Sequence, residues 1–363
     1  MMSARKRVFV PAFFVHPAAI AVFEDAPDVE LVWGLSDDER QIGPGAADRY
    51  AIRLKAVERA LDEQLPHAHA MHAMGLRGHL PVTAAMMDQA PRLEVVFIQA
   101  AGTDMIDVGA ATERGILVVN APGGNAPSVA EHAVAMMLSL VHRIADADRF
   151  AHTEQRSDFM RLMKNGPRPA LMGGKTLGII GFGFIGRTIA QICRDGFGMD
   201  VLAFDPFFDP IEARRLGVTM LLDLAELLPR CDFVSVNTPL TPATRNIIDA
   251  EALRLMKPGA YLVNTGRGGT VDTEALVEAL RGGTIAGAGL DVTEPEPLPA
   301  GHPLFSLENV MLTPHSAGGA PEVLGVMATT AAVLTLDALR GHRPRHLINP
   351  AAWERHVERF ASL

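Results

Sequence analysis

The chain has 363 residues, of which 48% are hydrophobic and 21% are charged. This composition is typical of a globular protein, and the length predicts two domains rather than one core. The formal net charge of −9 argues against nucleic acid as the main partner, because no basic surplus remains to neutralise phosphates.

The first 120 residues alternate short apolar strands with helical stretches. The segment RVFV (7–10) predicts a strand rather than the core of a signal peptide, because Pro11 and His16 interrupt the apolar run. LEVVFI (93–98) and GILVVN (115–120) predict two further strands, and residues 51–65 predict a helix.

From about residue 170 the alternation becomes regular, and the apolar runs are nearly continuous, as expected of strands buried on both faces. The predicted strands are KTLGIIG (175–181), MDVLAFD (199–205), CDFVSVN (231–237), GAYLVNT (259–265) and GTIAGAGLDV (283–292). Helical segments such as 187–197, 223–230 and 273–283 separate them. The region therefore predicts a doubly wound parallel sheet with right-handed crossovers.

Two long helical stretches, 128–144 and 320–341, flank this sheet region. The second ends at Gly341, a predicted C-cap, and its uncharged part (323–336) is too short to span a bilayer and predicts a buried helix. We therefore expect one domain, residues 121–317, to be inserted in a discontinuous domain formed by residues 1–120 and 318–363.

The segment LGIIGFGFIGRTIA carries Gly181, Gly183 and Gly186 in a G-x-G-x-x-G pattern between a predicted strand and a predicted helix. Asp205 ends the next strand, 19 residues after Gly186. This context predicts a dinucleotide-binding βαβ unit with the pyrophosphate at the helix N-terminus. The Asp205 carboxylate can accept the ribose hydroxyls but repels a 2′-phosphate, so the predicted cofactor is NAD.

Three further stretches, NTGRGG (264–269), LDVTEPEPLP (290–299) and LTPHSAGG (312–319), lie where sheet strands should end, which is where ligands bind in such sheets. They offer an arginine, carboxylates and an imidazole. Arg267 can pair with a substrate carboxylate and polarise a carbonyl. His315 can exchange a proton, and an acidic neighbour can hold and charge its ring.

In these motifs the chain resembles the D-isomer-specific 2-hydroxyacid dehydrogenase family, from residue 98 to residue 319. SVAEHA, GFGFIGR, DLAELL, TPLTPATRNII, VNTGRGGTVD, AGLDVTEPEPLP and LTPHSAGG occur in the order typical of that family. The resemblance implies two Rossmann-like α/β domains, with the NAD domain inserted in a flavodoxin-like substrate domain. It also implies a catalytic set of Arg267, Glu296 and His315.

The resemblance further implies the cofactor and substrate contacts. The implied NAD contacts are Gly181, Gly183, Phe184, Ile185, Gly186, Asp205, Thr238, Thr244, Thr265, Gly266, Asp291, Ser316, Ala317 and Gly318. Asp291 is expected to hold the carboxamide. The implied substrate contacts are backbone amides of Ala100, Ala101 and Gly102, and Arg77 is a further candidate. Asn237 stands where many relatives carry histidine.

Two carboxylates compete for the position beside His315. Glu296, five residues after Asp291 and followed by Pro297, matches the family position, and Glu294 is the alternative. An acidic partner argues against a formate-dehydrogenase-like relative, whose histidine is paired with glutamine. An NAD-sensing scaffold like the C-terminal-binding-protein corepressors keeps the same three residues and stays open.

The remaining histidines and cysteines are expected to be structural. His67, His69, His72 and His79 have no acidic companions, so no metal site is predicted. The only cysteines, Cys193 and Cys231, predict buried packing residues and fit a reducing cytoplasm. Fewer than fifty residues follow His315, so no appended regulatory domain is expected. We expect a cytoplasmic homodimer that acts on a small 2-keto or 2-hydroxy acid.

Overall fold

Two parallel β-sheets organise the protein, which we describe from a computed structural model covering residues 5–11, 15–36, 38–39, 47–73, 81–152 and 169–360. The first unit comprises residues 1–125 and 321–363, and the second comprises residues 126–320. The second unit is therefore an insertion in the first, and the chain changes unit a few residues after the boundaries expected from the sequence.

The strands in chain order are β1 (Lys6–Val10), β2 (Val29–Trp33), β3 (Ala70–His72), β4 (Val95–Phe97), β5 (Leu117–Val119), β6 (Thr176–Ile180), β7 (Asp200–Phe204), β8 (Thr219–Met220), β9 (Phe233–Val236), β10 (Tyr261–Asn264), β11 (Gly287–Leu290) and β12 (Val310–Leu312). The helices are α1 (Pro17–Glu24), α2 (Ala47–Gln64), α3 (Ala84–Asp88), α4 (Val108–Glu113), α5 (Ala126–His142), α6 (Ile144–Ala151), α7 (Phe184–Phe197), α8 (Pro210–Arg215), α9 (Leu224–Leu227), α10 (Ala250–Leu255), α11 (Thr273–Arg281), α12 (Pro321–Leu339) and α13 (Trp353–Phe360).

The first unit has a five-stranded sheet in the order β2-β1-β3-β4-β5, with every pair parallel. This is the flavodoxin-like order expected for the substrate domain. Side chains alternate between the two faces: Val8 and Val10 pack with α1 and α12, whereas Phe9 packs on the opposite face. The sequence analysis named no strand for β2 or β3, and β3 lies within the segment from His67 to His79 that carries four histidines.

The second unit has a seven-stranded parallel sheet in the order β12-β11-β10-β9-β6-β7-β8. The strand order reverses between β6 and β9, so the loops after these two strands lie at the switch point where such sheets bind ligands. Ile179 and Ile180 belong to separate apolar cores on opposite faces, as the near-continuous apolar strands predict. The two-residue β8 was also missed.

The helix α12 is longer than its uncharged stretch suggested. Among the described residues it is the only helix long and apolar enough to cross a membrane, but 56% of its most apolar 18-residue window is buried inside the protein. It packs against α1, β4 and β5, as a core helix does. The Gly341 cap is confirmed: with φ 75° it forms a Schellman motif in which His342 N–H donates to Asp337 O at 2.9 Å.

Two histidines of the 67–79 stretch, His69 and His72, lie within the fold of the first unit. His69 Nδ1 accepts the N–H of Arg7 at 3.0 Å, and burial lowers the pKa of His69 to about 4. His72 is buried in β3, where burial lowers its pKa to about 3. Within the described part of the chain, no three His, Cys, Asp or Glu side chains form a cluster able to hold a metal ion. Cys193 and Cys231 are free and buried, which confirms them as packing residues.

Candidate functional site

The glycine loop between β6 and α7 has a geometry that requires or exploits glycine at each of its three positions. Gly181 has φ 88°, and a Cβ there would stand 2.9 Å from the Thr238 backbone nitrogen. At Gly183, no atom of the described residues other than the adjacent backbone lies within 4 Å of the Cβ position, so a ligand can approach the backbone. A Cβ at Gly186 would stand 2.3 Å from Gly181 O, so only glycine lets the helix pack this close to the loop.

Gly183 is the N-cap of α7 and supplies no side-chain cap, so the first amides of the helix are left for an anionic ligand. Ile185 is half-buried beside the loop, and Phe184 is exposed. The guanidinium of Arg187 lies 5.1 Å from the ring centre of Phe184 and 5.6 Å from that of Phe208. This positive charge next to the helix N-terminus was not singled out from the sequence.

Asp205 lies just beyond β7 and joins the glycine loop to the following turn. Its Oδ2 accepts the N–H of Phe182 at 2.8 Å, and its Oδ1 accepts the N–H of Phe207 at 2.9 Å. Each oxygen keeps one further acceptor position, so the half-buried carboxylate can still accept from a pair of ribose hydroxyls.

Four other predicted cofactor contacts lie on the loops after β9 and β10. The hydroxyl of Thr238 is buried and has no hydrogen-bond partner among the described residues, whereas Thr244 Oγ1 donates to Pro239 O at 2.6 Å within its own turn. Thr265 is buried, with Oγ1 3.5 Å from Asn237 Oδ1. A Cβ at Gly266 would stand 3.0 Å from Thr238 O, so the two loops lie against each other.

His315 and Glu296 form a close ion pair. His315 Nδ1 lies 2.6 Å from Glu296 Oε1, and the two side chains are 48% and 41% exposed. Because Nδ1 is engaged, Nε2 is the ring nitrogen left to exchange a proton with a ligand. The competing carboxylate, Glu294, is instead paired with Arg245 at 3.0 Å.

The pKa of His315 is raised above its ordinary value. The hydrogen bond that the ring donates to Glu296 is the main cause, and the negative charges of Glu296 and Asp291 add to it. Burial and the positive charge of Arg267 oppose the rise. The imidazolium is therefore favoured to a higher pH than in a free histidine.

The Arg267 loop is fastened by buried polar groups that the sequence prediction did not name. Asn264 Nδ2 donates to Arg267 O at 3.0 Å and to Thr270 Oγ1 at 3.3 Å, while its Oδ1 accepts the N–H of Gly266 at 3.0 Å. The guanidinium donates to Gly266 O at 2.8 Å, and the side chain is half-buried. Its backbone is thus held from both sides of the turn.

Two glycines bring the Arg267 loop against the Glu296 loop. A Cβ at Gly268 would stand 2.0 Å from Thr293 O, and one at Gly269 would stand 2.2 Å from Glu294 Oε2. Backbone atoms cannot give way to such contacts, so Gly268 in particular is required for this approach. The glycines of NTGRGG therefore account for the juxtaposition of arginine and carboxylate loops.

Asp291 is 2% exposed and organises the loop that carries His315. Its Oδ1 accepts the Ser316 N–H at 2.8 Å and the Thr313 hydroxyl at 2.6 Å, and its Oδ2 accepts the Ala317 N–H at 3.0 Å. One acceptor position on Oδ2 remains, which a carboxamide can use. Gly318, half-buried, follows this turn.

The predicted substrate loop belongs to the first unit. Ala101 O accepts from Asn120 Nδ2 at 2.5 Å, and Ala100 O accepts the Ala121 N–H at 3.1 Å. Among the described residues, no hydrogen bond uses the N–H groups of Ala100, Ala101 or Gly102, so these amides are available to an anion. Arg77 and His79 lie outside the described residues.

These features fit a bound dinucleotide. They are the open backbone at Gly183, the N-terminus of α7 without a side-chain cap, the Thr238 hydroxyl, which no described residue satisfies, and the remaining acceptor position on Asp291. All of these features lie at the carboxyl end of the second sheet, as does the His315–Glu296 pair.

Comparisons with known proteins agree with this geometry. Residues 134–317 match the family described as "D-isomer specific 2-hydroxyacid dehydrogenase, NAD binding domain". D-3-phosphoglycerate dehydrogenase of Mycobacterium bovis is 42% identical over 282 residues, or 77% of this chain and 51% of that protein. Glyoxylate reductase of Korarchaeum cryptofilum is 41% identical over 274 residues, or 74% of this chain and 80% of that protein.

Among solved structures, holo D-mandelate dehydrogenase of Rhodotorula graminis superposes with a TM-score of 0.80 at 26% identity, covering 95% of this chain and 98% of that one. The chain spans about half the length of the mycobacterial relatives it matches. The region that holds the glycine loop, Arg267 and Glu296, and that extends to Ala317, is thus similar to an NAD binding domain.

Proposed function

Because this chain belongs to the D-isomer specific 2-hydroxyacid dehydrogenase family, we propose that it reduces a small 2-keto acid to a D-2-hydroxy acid with NADH, and catalyses the reverse reaction with NAD. The observation that carries this proposal is the 2.6 Å pair of His315 and Glu296. This pair lies at the same carboxyl end of the second sheet as the half-buried Arg267 and a glycine loop open to a dinucleotide.

The bound cofactor supplies the hydride in the reduction direction. As negative charge develops on the keto oxygen, His315 donates the proton from Nε2 and becomes neutral, while its Nδ1–H stays bonded to Glu296. In oxidation, neutral Nε2 removes the proton of the substrate hydroxyl. Glu296 fixes the tautomer and favours the imidazolium, so it sets the pH at which each direction runs.

Arg267 supplies a positive charge for the same reacting oxygen and for a substrate carboxylate. Its guanidinium is planar and can form two parallel hydrogen bonds to a carboxylate. The Asn264 and Thr270 bonds hold its backbone, so little reorganisation is needed when the substrate binds. The free amides of Ala100–Gly102 support binding of an anionic substrate by the first unit.

The test is turnover by the purified chain with NADH and a panel of keto acids: glyoxylate, hydroxypyruvate, pyruvate, phenylpyruvate and branched-chain keto acids. Loss of NADH absorbance with at least one member is expected. His315→Ala should abolish most of it, whereas His342→Ala, which alters an exposed histidine of the first unit, should not.

Two other outcomes would replace the proposal. NADH binding without turnover of any member would favour an NAD-sensing scaffold. Oxidation of formate with NAD, in the absence of keto-acid turnover, would favour a formate-dehydrogenase-like enzyme. The cytoplasmic homodimer expected from the sequence is also part of the proposal, and analytical ultracentrifugation measures its mass directly.

A further inference from the structure

The SVAEHA motif in α5 contacts the loop that carries His315. Ser128 and His132 are four residues apart and therefore share one face of the helix. Ser128 Oγ donates to Ala317 O at 2.5 Å, and His132 Nε2 lies 3.0 Å from Thr313 Oγ1. The loop is thus bound to one helix on both sides of the catalytic histidine.

Thr313 links His132 to Asp291 through two hydrogen bonds, and their direction follows from the chemistry of the three groups. A carboxylate only accepts, so the single hydroxyl proton of Thr313 must point to Asp291 Oδ1, 2.6 Å away. The Thr313 oxygen then accepts from His132, whose Nε2 must carry a proton. Both the Nε2–H neutral ring and the imidazolium satisfy this arrangement.

Asp291 passes this constraint to His315. Its two oxygens hold the amides of Ser316 and Ala317, and its backbone oxygen accepts the His315 N–H at 2.8 Å. His315 has φ 55°, in the left-handed region that residues other than glycine rarely adopt. The conformation that aims the imidazole is therefore imposed by its neighbours.

We propose that His132 and Thr313 are positioning residues, which fix the Asp291 carboxylate and, through it, the left-handed turn that presents His315. The kinetic consequence rests on the proposed function; the structural consequence rests on the hydrogen bonds alone. Neither residue is assigned to proton transfer or to substrate contact.

The first test compares Thr313→Val, which removes the hydroxyl at nearly constant shape, with Thr313→Ser, which keeps it. Thr313→Val should lower kcat for keto-acid reduction about 10- to 100-fold, the usual effect of small misplacement of a catalytic group. KM for the keto acid should change little. Thr313→Ser should keep a kcat close to that of the unmodified protein.

A matched control separates positioning from general destabilisation. Thr335 is a buried threonine, whereas Thr313 is half-buried, and the Thr335 hydroxyl donates to Ala331 O at 2.7 Å within α12. Thr335→Val should leave kcat unchanged at temperatures well below unfolding. A similar fall of kcat in Thr335→Val and Thr313→Val would overturn the proposal.

A double-mutant cycle tests whether His132 acts through Thr313. His132→Leu should lower kcat, and His132→Gln, which keeps an N–H donor, should restore much of it. In the Thr313→Val background, His132→Leu should cost less activity than in the unmodified protein, because only the 3.7 Å approach of His132 Nε2 to Asp291 Oδ1 then remains. Additive losses would contradict a shared chain. These His132 variants also keep the test decisive if Thr313→Val does not fold.

Hydrogen exchange supplies a readout that needs no activity. Without NADH and keto acid, the amides in a peptide covering residues 313–318 should exchange faster in Thr313→Val than in Thr313→Ser or the unmodified protein. Unchanged exchange in an active enzyme would overturn the positioning role and leave the proposed function intact. Faster exchange in a protein that reduces no keto acid would uphold the positioning role and remove the proposed function.

Discussion

The carboxyl ends of the two sheets differ in how their buried polar groups are paired. In the second unit, Asn264 and Asp291 each form three side-chain hydrogen bonds with the loops around them, and among the described buried side chains only the Thr238 hydroxyl lacks a partner. In the first unit, several described side chains contain buried nitrogen or oxygen atoms without a partner. They are His72, Gln99, Asn120, Asn125 and His346.

The two units therefore differ in how far each satisfies its own buried polar groups. The second unit holds its charged residues with its own hydrogen bonds, so these side chains are preorganised before a ligand binds. The first unit keeps buried donors and acceptors that its described residues do not satisfy, each at a cost of about 1–3 kcal/mol. Substitutions at the carboxyl end of the second unit's sheet should therefore alter the reaction rate and its pH dependence. Substitutions of the buried polar residues of the first unit should alter stability or substrate affinity.

The largest expected effect is at His315. His315→Ala should lower the rate of keto-acid reduction about 10²–10⁴-fold, the usual contribution of a positioned general acid. NADH affinity, measured by fluorescence titration, should stay near its original value, because the glycine loop is untouched. A comparable loss of NADH affinity would mean that His315 holds the cofactor rather than the proton.

Asp205 should determine cofactor choice. A unit of 2′-phosphate charge about 4 Å from its carboxylate costs roughly 4 kcal/mol at an effective dielectric constant near 20, which is about a thousandfold. We expect kcat/KM for NADPH to be lower by this order, and Asp205→Ser with an added basic neighbour to relax the preference. Asp200→Ser, at the other end of β7, is the control. Equal kcat/KM for the two cofactors in the unmodified protein would refute this.

Arg267→Lys keeps the charge but loses the planar fork. Loss of hydrogen bonds to a charged group, at about 1.5–3 kcal/mol, should reduce kcat/KM for the keto acid about 10- to 100-fold. KM should rise and kcat should fall, while NADH affinity is retained. Steady-state kinetics at saturating NADH measure both, and unaltered keto-acid kinetics would exclude Arg267 from the reaction.

The smallest expected effects are changes in the free energy of unfolding at two buried histidines of the first unit. His72 is 1% exposed and neither ring nitrogen has a partner in the described part of the chain, whereas His356 is 2% exposed and its Nδ1 lies 3.1 Å from Gly115 O. His72→Leu should leave the free energy of unfolding unchanged or raise it by about 1 kcal/mol, and His356→Leu should lower it by about 1–3 kcal/mol. Urea denaturation compares them; equal losses would remove the distinction between the two histidines.

The sequence was sufficient where one residue type at one spacing had a single structural meaning. The glycine loop, the strand before it and the Gly341 cap depend on local backbone geometry, and the structure shows each of them. The choice between Glu296 and Glu294 needed the structure, in which Glu296 bonds to His315 and Glu294 is paired with Arg245.

Other features depend on partners distant in sequence. The network from His132 through Thr313 to Asp291 joins residues more than 150 positions apart, and no local pattern indicates it. β8 has only two residues, and β2 (VELVW) contains an acidic residue and is only partly buried, so neither has a strong apolar pattern. The left-handed conformation of His315 is likewise set by its contacts rather than by its residue type.

The pairing of His315 with Glu296 is tested most directly by the pH dependence of Glu296→Gln. The raised pKa of His315 comes mainly from Glu296, while Asp291 raises it further and Arg267 lowers it. Reduction needs the imidazolium, so it should fall as pH rises through this pKa, and oxidation of the hydroxy acid should rise. In Glu296→Gln the imidazolium loses its counter-charge, so both profiles should move to lower pH; profiles that stay in place would contradict the pairing.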